Sequence, residues 1–179
     1  QFNGRLLGIS SNDDRPWLRT GDLGFLHHTL ISKTLGSEGA ESLFQPVFFL
    51  GRIADTFELL GLHHFPIDIE NTIESCHRDI YKNGLCVFKC SDYTIVVCES
   101  RRHRHLASLV PLIANTVFSK HHLMVDIVAF MSRGQFPILR LGTKQRARIV
   151  DAWVQGVLPV VATYGVNNGE KAVLKTIKD

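Results

Sequence analysis

The spacing of apolar positions changes near residue 56, and the change divides the chain into two kinds of pattern. Up to residue 50 the apolar runs are short (RLLGI, WLRTGDLGFL, SLFQPVFFL), and turn formers such as SSNDDRP interrupt them. Runs of that kind predict short strands, with GDLG as the turn between two of them. KTLGSEGAES, rich in Gly and Ser, reads as an exposed loop.

Beyond residue 56 longer periods appear. FELLG is a short strand, and Pro66 opens a helix over PIDIENTIESCH. Proline suits a first helical turn, where its missing N–H is not needed. Asp68 and Glu70 then sit at the positive end of the helix dipole, and Ile69, Ile73 and Cys76 share one apolar face. LCVFKC and YTIVVCE read as two strands joined at Ser91–Asp92. A second helix covers HLASLVPLIANTVFSK, with Leu106, Leu109, Val110, Ile113 and Val117 on one face. Pro111 must kink this helix or push its start downstream. HLMVDIVAFM predicts a third strand, and TKQRARIVDAWVQ a helix with Ile149, Val150, Trp153 and Val154 inward. The order, β-rich and then β-α-β-β-α-β-α, predicts an α+β fold with a mixed sheet flanked by helices.

Composition narrows the classes. The chain has 179 residues, 45% of them apolar and 21% charged, which is a globular balance. A net charge of +3 is too mild to argue for nucleic acid. No run approaches the ~18 apolar residues of a transmembrane segment, and QFNGRLLGIS has no secretory-signal pattern. That start reads as the interior of a longer chain, with an upstream N-terminal domain to be expected. The four cysteines, Cys76, Cys86, Cys90 and Cys98, include no C-x-x-C pair. Buried reduced thiols of a cytoplasmic protein are therefore expected, with no metal site.

Two short segments carry the chemistry, TGDLGF at 20–25 and GRIAD at 51–55. A turn aspartate flanked by glycines can accept two hydrogen bonds from a diol such as ribose. An arginine on a neighbouring strand end can reach the same sugar or a phosphate with its fork of donors. In this order, and followed by G-x-x-x-x-P-x-x-I-E, they resemble the adenylate-forming superfamily over about residues 17–146. GRIADTFELLGLHHFPIDIENTIE looks most like its fatty acyl-AMP ligase branch. RLGTKQRARIVDAWVQGVLP looks like the carboxyl end of the disco-interacting protein 2 family.

The resemblance implies a fold and a set of roles. Residues 1–54 would be the β-rich end of a large N-terminal domain carrying the TGD motif. Residues 55–179 would be the small mobile C-terminal domain of an AMP-forming ligase, after a hinge at Asp55. Asp22 would bind the ribose hydroxyls and Arg52 the same nucleotide. Gly61, His63, His64 and Pro66 would form a loop facing a thiol acceptor, a carrier protein or CoA, while Glu70 would be structural. The parent would join a fatty acid to ATP, with Mg²⁺, giving acyl-AMP for lipid metabolism. The isolated stretch is expected to be inactive, because the acyl pocket and most ATP contacts lie upstream.

One departure matters. The family's late motif, P-K-T-x-S-G-K, ends in a lysine that stabilises developing charge. Here the segment is FPILRLGTKQR, which puts Thr143 at the lysine position and Lys144 one place later. A one-residue offset at a helix start turns a side chain by roughly 100°. Either Lys144 has been re-aimed as the catalytic group, or adenylation is weakened and the module is a nucleotide-binding regulatory pseudo-enzyme. RRHRH at 101–105 is a compact basic patch. Such a run is ordinarily a solvated face, but it could hold phosphate, an acidic carrier surface or an anionic membrane at the periphery.

Overall fold

A computed structural model of the chain describes residues 20–27, 29–31, 42–44, 46–102, 104–140 and 142–166. They belong to two compact units, one ending at Thr56 and the other beginning at Phe57. RLLGI, SSNDDRP and nearly all of KTLGSEGAES lie outside the described residues.

In the first unit β1 (Asp22–Leu26) pairs antiparallel with β4 (Val47–Arg52), and β2 (Thr29–Ile31) with β3 (Ser42–Phe44). The β1–β4 register sets Asp22 opposite Arg52 and Leu26 opposite Val47. GDLG is not the turn expected from its glycines. Gly21 alone takes the left-handed conformation, at φ +78°, and Asp22 already begins the strand. Gly24 serves close approach instead, because a Cβ there would lie 2.6 Å from the Phe48 carbonyl oxygen.

The second unit opens with a hairpin, β5 (Phe57–Leu59) and β6 (Leu62–His64), and α1 (Pro66–Cys76) follows it. Then come β7 (Ile80–Cys90), β8 (Tyr93–Ser100), α2 (Leu106–His121), β9 (Ile127–Met131), α3 (Arg146–Val154) and β10 (Val160–Gly165). The sheet order is β10-β9-β8-β7, with β8 and β9 parallel and the outer pairs antiparallel. It is the mixed sheet between helices that the pattern predicts.

Both faces of this sheet are covered, so its strands read as continuous apolar runs rather than alternations. Leu85, Val87, Val96, Cys98, Val128 and Phe130 face one core with Ile69 and Ile73 of α1 and Ile113 and Val117 of α2. Cys86, Phe88, Ile95, Val97, Ala129 and Met131 face the other, with Phe136, Leu158 and Ile149 of α3. All five apolar residues expected inward on α2 are buried.

Several boundaries differ from the sequence reading. α2 starts at Leu106 and runs through Pro111, so the proline does not displace its start. Pro111 is exposed, which leaves water free to take the carbonyl it cannot serve. The strand expected over HLMVDIVAFM begins only at Ile127, although Leu123 and Val125 before it are buried. α3 begins at Arg146, and Val154 faces solvent at 66% exposure. It lies five positions beyond Ile149, about 140° round the helix. β6 and β10 are additional strands.

Ile113 is fully buried beneath α2. Ile113→Ala should lower the unfolding free energy by about 2–5 kcal/mol, as measured by urea denaturation.

Candidate functional site

In the first unit the strand register brings Asp22 and Arg52 together. Arg52 Nε lies 3.9 Å from Asp22 Oδ1, and both side chains remain open to solvent. The Asp22 amide donates to Thr20 Oγ1 at 3.1 Å, and the Ile53 amide to the Gly21 carbonyl at 2.8 Å. The ends of both strands are thereby fixed. An acceptor carboxylate and a guanidinium fork stand side by side on one strand end, a pairing suited to a vicinal diol next to a phosphate. Asp55 closes a single 3-10 turn, Ile53–Asp55, after which Thr56 Oγ1 donates to the Ile53 carbonyl at 2.8 Å.

In the second unit the stretch expected as an acceptor-facing loop is a hairpin and a helix start. Leu60 and Gly61 both take positive φ, 51° and 77°, as a two-residue turn between twisted strands requires. His63 lies exposed opposite Glu58, whereas His64 lies buried opposite Phe57, stacked at 5.5 Å. Pro66 is the first residue of α1. Burial, with His121 and His63 nearby, holds the His64 pKa below its ordinary value. Burial also lowers that of His121, with Lys120 adding and Asp68 opposing. The His121 ring nitrogen Nε2 sits 2.8 Å from Thr72 Oγ1.

The late motif folds as a small reversed turn ahead of α3. Gln145 N donates to Pro137 O at 2.9 Å, Leu139 N to Thr143 O at 2.9 Å, and Gly142 N to Leu139 O at 2.8 Å. Arg140 and Thr143 are exposed on this turn. Lys144 is directed inward, its ammonium 2.8 Å from Glu70 Oε2 and 3.1 Å from Glu74 Oε1. Glu70 is 2% exposed. Its other oxygen accepts from the Val87 amide at 2.8 Å and pairs with Arg146 Nη1 at 2.7 Å. Arg146 Nη1 also donates to the Val87 carbonyl at 2.8 Å, and the Asn83 amide to Glu74 Oε1 at 2.9 Å. A second buried acid, Glu99, accepts from the Phe136 amide at 2.7 Å and holds the near end of the segment.

The structure thus pairs Asp22 with Arg52 and draws Lys144 into a cluster with Glu70, Glu74 and Arg146. Thr143 makes no part of that cluster. The sequence reading placed Glu70 on a structural helix but did not link it to Lys144 and Arg146. The signal was present: Glu70 adjoins Ile69 in the apolar stripe of α1, and a carboxylate there requires cations.

Lys144→Met should cost about 3 kcal/mol, the penalty for leaving a buried ion pair short of one partner, read from urea denaturation. The two histidines make a separate expectation. Their neutral forms are favoured in the folded state, so the unfolded chain binds more protons below the ordinary His pKa of about 6.5. Melting temperature should stay level above that pH and fall as pH drops through the depressed folded values, with a shallower fall in His64→Phe.

A family model described as disco-interacting protein 2-like, AMP domain, matches residues 54–163. An uncharacterised protein of Schizosaccharomyces pombe is 41% identical over 157 residues, 86% of this chain and 10% of its own. The Saccharomyces cerevisiae homeostatic regulator of DAG is 31% identical over 94% of this chain and 10% of its own. Human disco-interacting protein 2 homolog B is 32% identical over 84% of this chain and 9% of its own. The chain therefore spans about a tenth of the length of these curated relatives. Among solved structures, a fatty acid AMP ligase from Legionella pneumophila superposes with TM-score 0.51 at 24% identity, over 92% of this chain and 26% of that one. McyG A-PCP complexed with phenylalanyl-adenylate superposes with TM-score 0.61 at 21% identity, over 79% of this chain and 24% of that one. Likeness of this degree establishes an AMP-ligase fold.

Proposed function

The chain belongs to the disco-interacting protein 2-like family of AMP domains, and from that premise we propose that it is the nucleotide-holding end of a fatty acyl-AMP ligase-like protein. The observation that carries this reading is the Asp22–Arg52 pair, set face to face across β1 and β4 and open to solvent. Asp22 would accept hydrogen bonds from the ribose hydroxyls of ATP and of the acyl-adenylate. Arg52 would contact the same nucleotide with its free donors.

In the full protein a fatty-acid carboxylate oxygen attacks the α-phosphorus of ATP. The P–O bond to pyrophosphate breaks, and acyl-AMP forms. Among the described residues no three His, Cys, Asp or Glu side chains converge as a metal cage. Magnesium would arrive with the triphosphate, and this chain supplies no step through it. The division between Thr56 and Phe57 supports a hinge at Asp55. The Gly61–Pro66 hairpin and helix start are then the surface for a thiol acceptor, a carrier protein or CoA. No helix among the described residues is long and apolar enough to cross a membrane.

A second reading rests on a specific observation. Lys144 is held by Glu70 and Glu74, and the lysine position of the motif is Thr143. Without that cation near the reacting phosphate, the module would bind nucleotide and regulate rather than turn over. The yeast relative's name, a regulator of DAG, accords with such a role in lipid homeostasis.

The test is acyl-AMP formation by the full-length parent from labelled fatty acid, ATP and Mg²⁺, beside ATP binding. Asp22→Ala should weaken binding about 10- to 100-fold, charged hydrogen bonds being worth about 1.5–3 kcal/mol. Product from the wild type that is lost in Asp22→Ala supports the ligase. Binding without product supports the regulatory reading, and unchanged binding in Asp22→Ala removes both.

A further inference from the structure

The topology of the second unit gathers cations at one end of its sheet. β7 begins there, β8 and β9 end there, and the segment leading to α2 leaves from the same end. Arg78 comes from the turn before β7, Lys82 from the start of β7, Arg101, Arg102 and Arg104 from the segment after β8, and Arg133 from the turn after β9. All six are exposed. The Arg101 and Arg133 guanidinium carbons lie 4.8 Å and 5.3 Å from the centre of one ring, that of Tyr81. The two guanidinium groups share one aromatic ring, which gathers like charges at this end of the sheet, an arrangement that an external anion favours.

Among the described residues, few acids neutralise this end. Arg102 pairs loosely with Asp79, at 3.8 Å, and Glu99 is buried and committed to the Phe136 amide. α2 starts beside the cluster with no acidic residue in its first turn, so its dipole adds to the positive potential. Five of the six cations are arginines, whose planar forks suit phosphate oxygens.

We propose that this end of the sheet docks the protein on an anionic lipid surface through phosphate headgroups. A protein partner would need an apolar anchor near the centre of its contact. No large apolar side chain is exposed among the described residues of 78–83, 101–108 and 132–135. The surface offers charge spread over several chain ends without an anchor, which fits a field of headgroups. The inference is independent of whether the Asp22–Arg52 site supports turnover.

The test is flotation of the protein with vesicles of phosphatidylcholine mixed with phosphatidylserine, and with vesicles of phosphatidylcholine alone. Binding should require phosphatidylserine and fade as salt is raised. Each cation removed should weaken partitioning about fivefold. Lys82→Gln with Arg104→Gln, at two exposed positions, should lower it without altering the melting temperature. Arg101→Gln with Arg133→Gln should lower it further. Equal binding to both vesicles, no binding at low salt, or unchanged partitioning of the Lys82/Arg104 variant would each overturn the proposal. So would displacement by inorganic phosphate well beyond that by chloride at equal ionic strength, since that outcome marks a discrete phosphate pocket. Capture of an acidic carrier protein without vesicle binding would overturn it as well.

Discussion

A carboxylate removed from water must be surrounded by donors or it destabilises whatever buries it. Glu70 meets that condition with one backbone amide and two cations, the amide from β7 and the cations from the segment that leads into α3. The Val87 amide fixes α1 to β7. Lys144 and Arg146 fix the late-motif turn and the start of α3 to both. α1 lies over one face of the sheet and α3 over the other, so this buried cluster links the two apolar cores at the sheet's edge strand. Hydrophobic burial alone could slide by a residue. A carboxylate with three donors cannot, because a slip would leave charges unpaired in a poorly solvated place.

The same arrangement bears on chemistry. An ammonium held between two carboxylates has two of its three donors committed, so any contact with a phosphate competes with those pairings. Arg140 and Thr143, on the exposed side of the turn, carry no such obligation within the described cluster. The strand ends of the first unit that carry Asp22 and Arg52 and the motif turn of the second therefore stand under different constraints. Asp22 and Arg52 are placed by strand register and left open to solvent, whereas Lys144 is placed by charge pairing and withdrawn from it.

Much of the fold was legible because apolar periodicity reports burial directly. The α2 face from Leu106 to Val117 and the paired runs LCVFKC and YTIVVCE needed only spacing. β10 was harder to see, since VLPVVATYG pairs only with β9 at the sheet's edge and its exposed Val161 blurs the pattern. β6 was masked by its two histidines, because the burial of His64 depends on Phe57 across the hairpin, which no local pattern encodes. For the candidate site, Asp22 and Arg52 were named together through the motifs and the resemblance, and the β1–β4 register sets them opposite one another. The inward turn of Lys144 was not legible, because it depends on a carboxylate more than seventy residues away in the chain.

The parallel pairing of β8 with β9 has a consequence for how this unit assembles. The β7–β8 hairpin closes over two residues, Ser91 and Asp92, and its hydrogen bonds form between near neighbours. β9 can join only after the chain has crossed the sheet through α2, so its ordering entropy falls due before its own contacts are gained. The β7–β8 ribbon is thus the natural template, and α2 docking is the step that admits β9. Assembly of the sheet would then be paced by a helix finding its place rather than by strands zipping together.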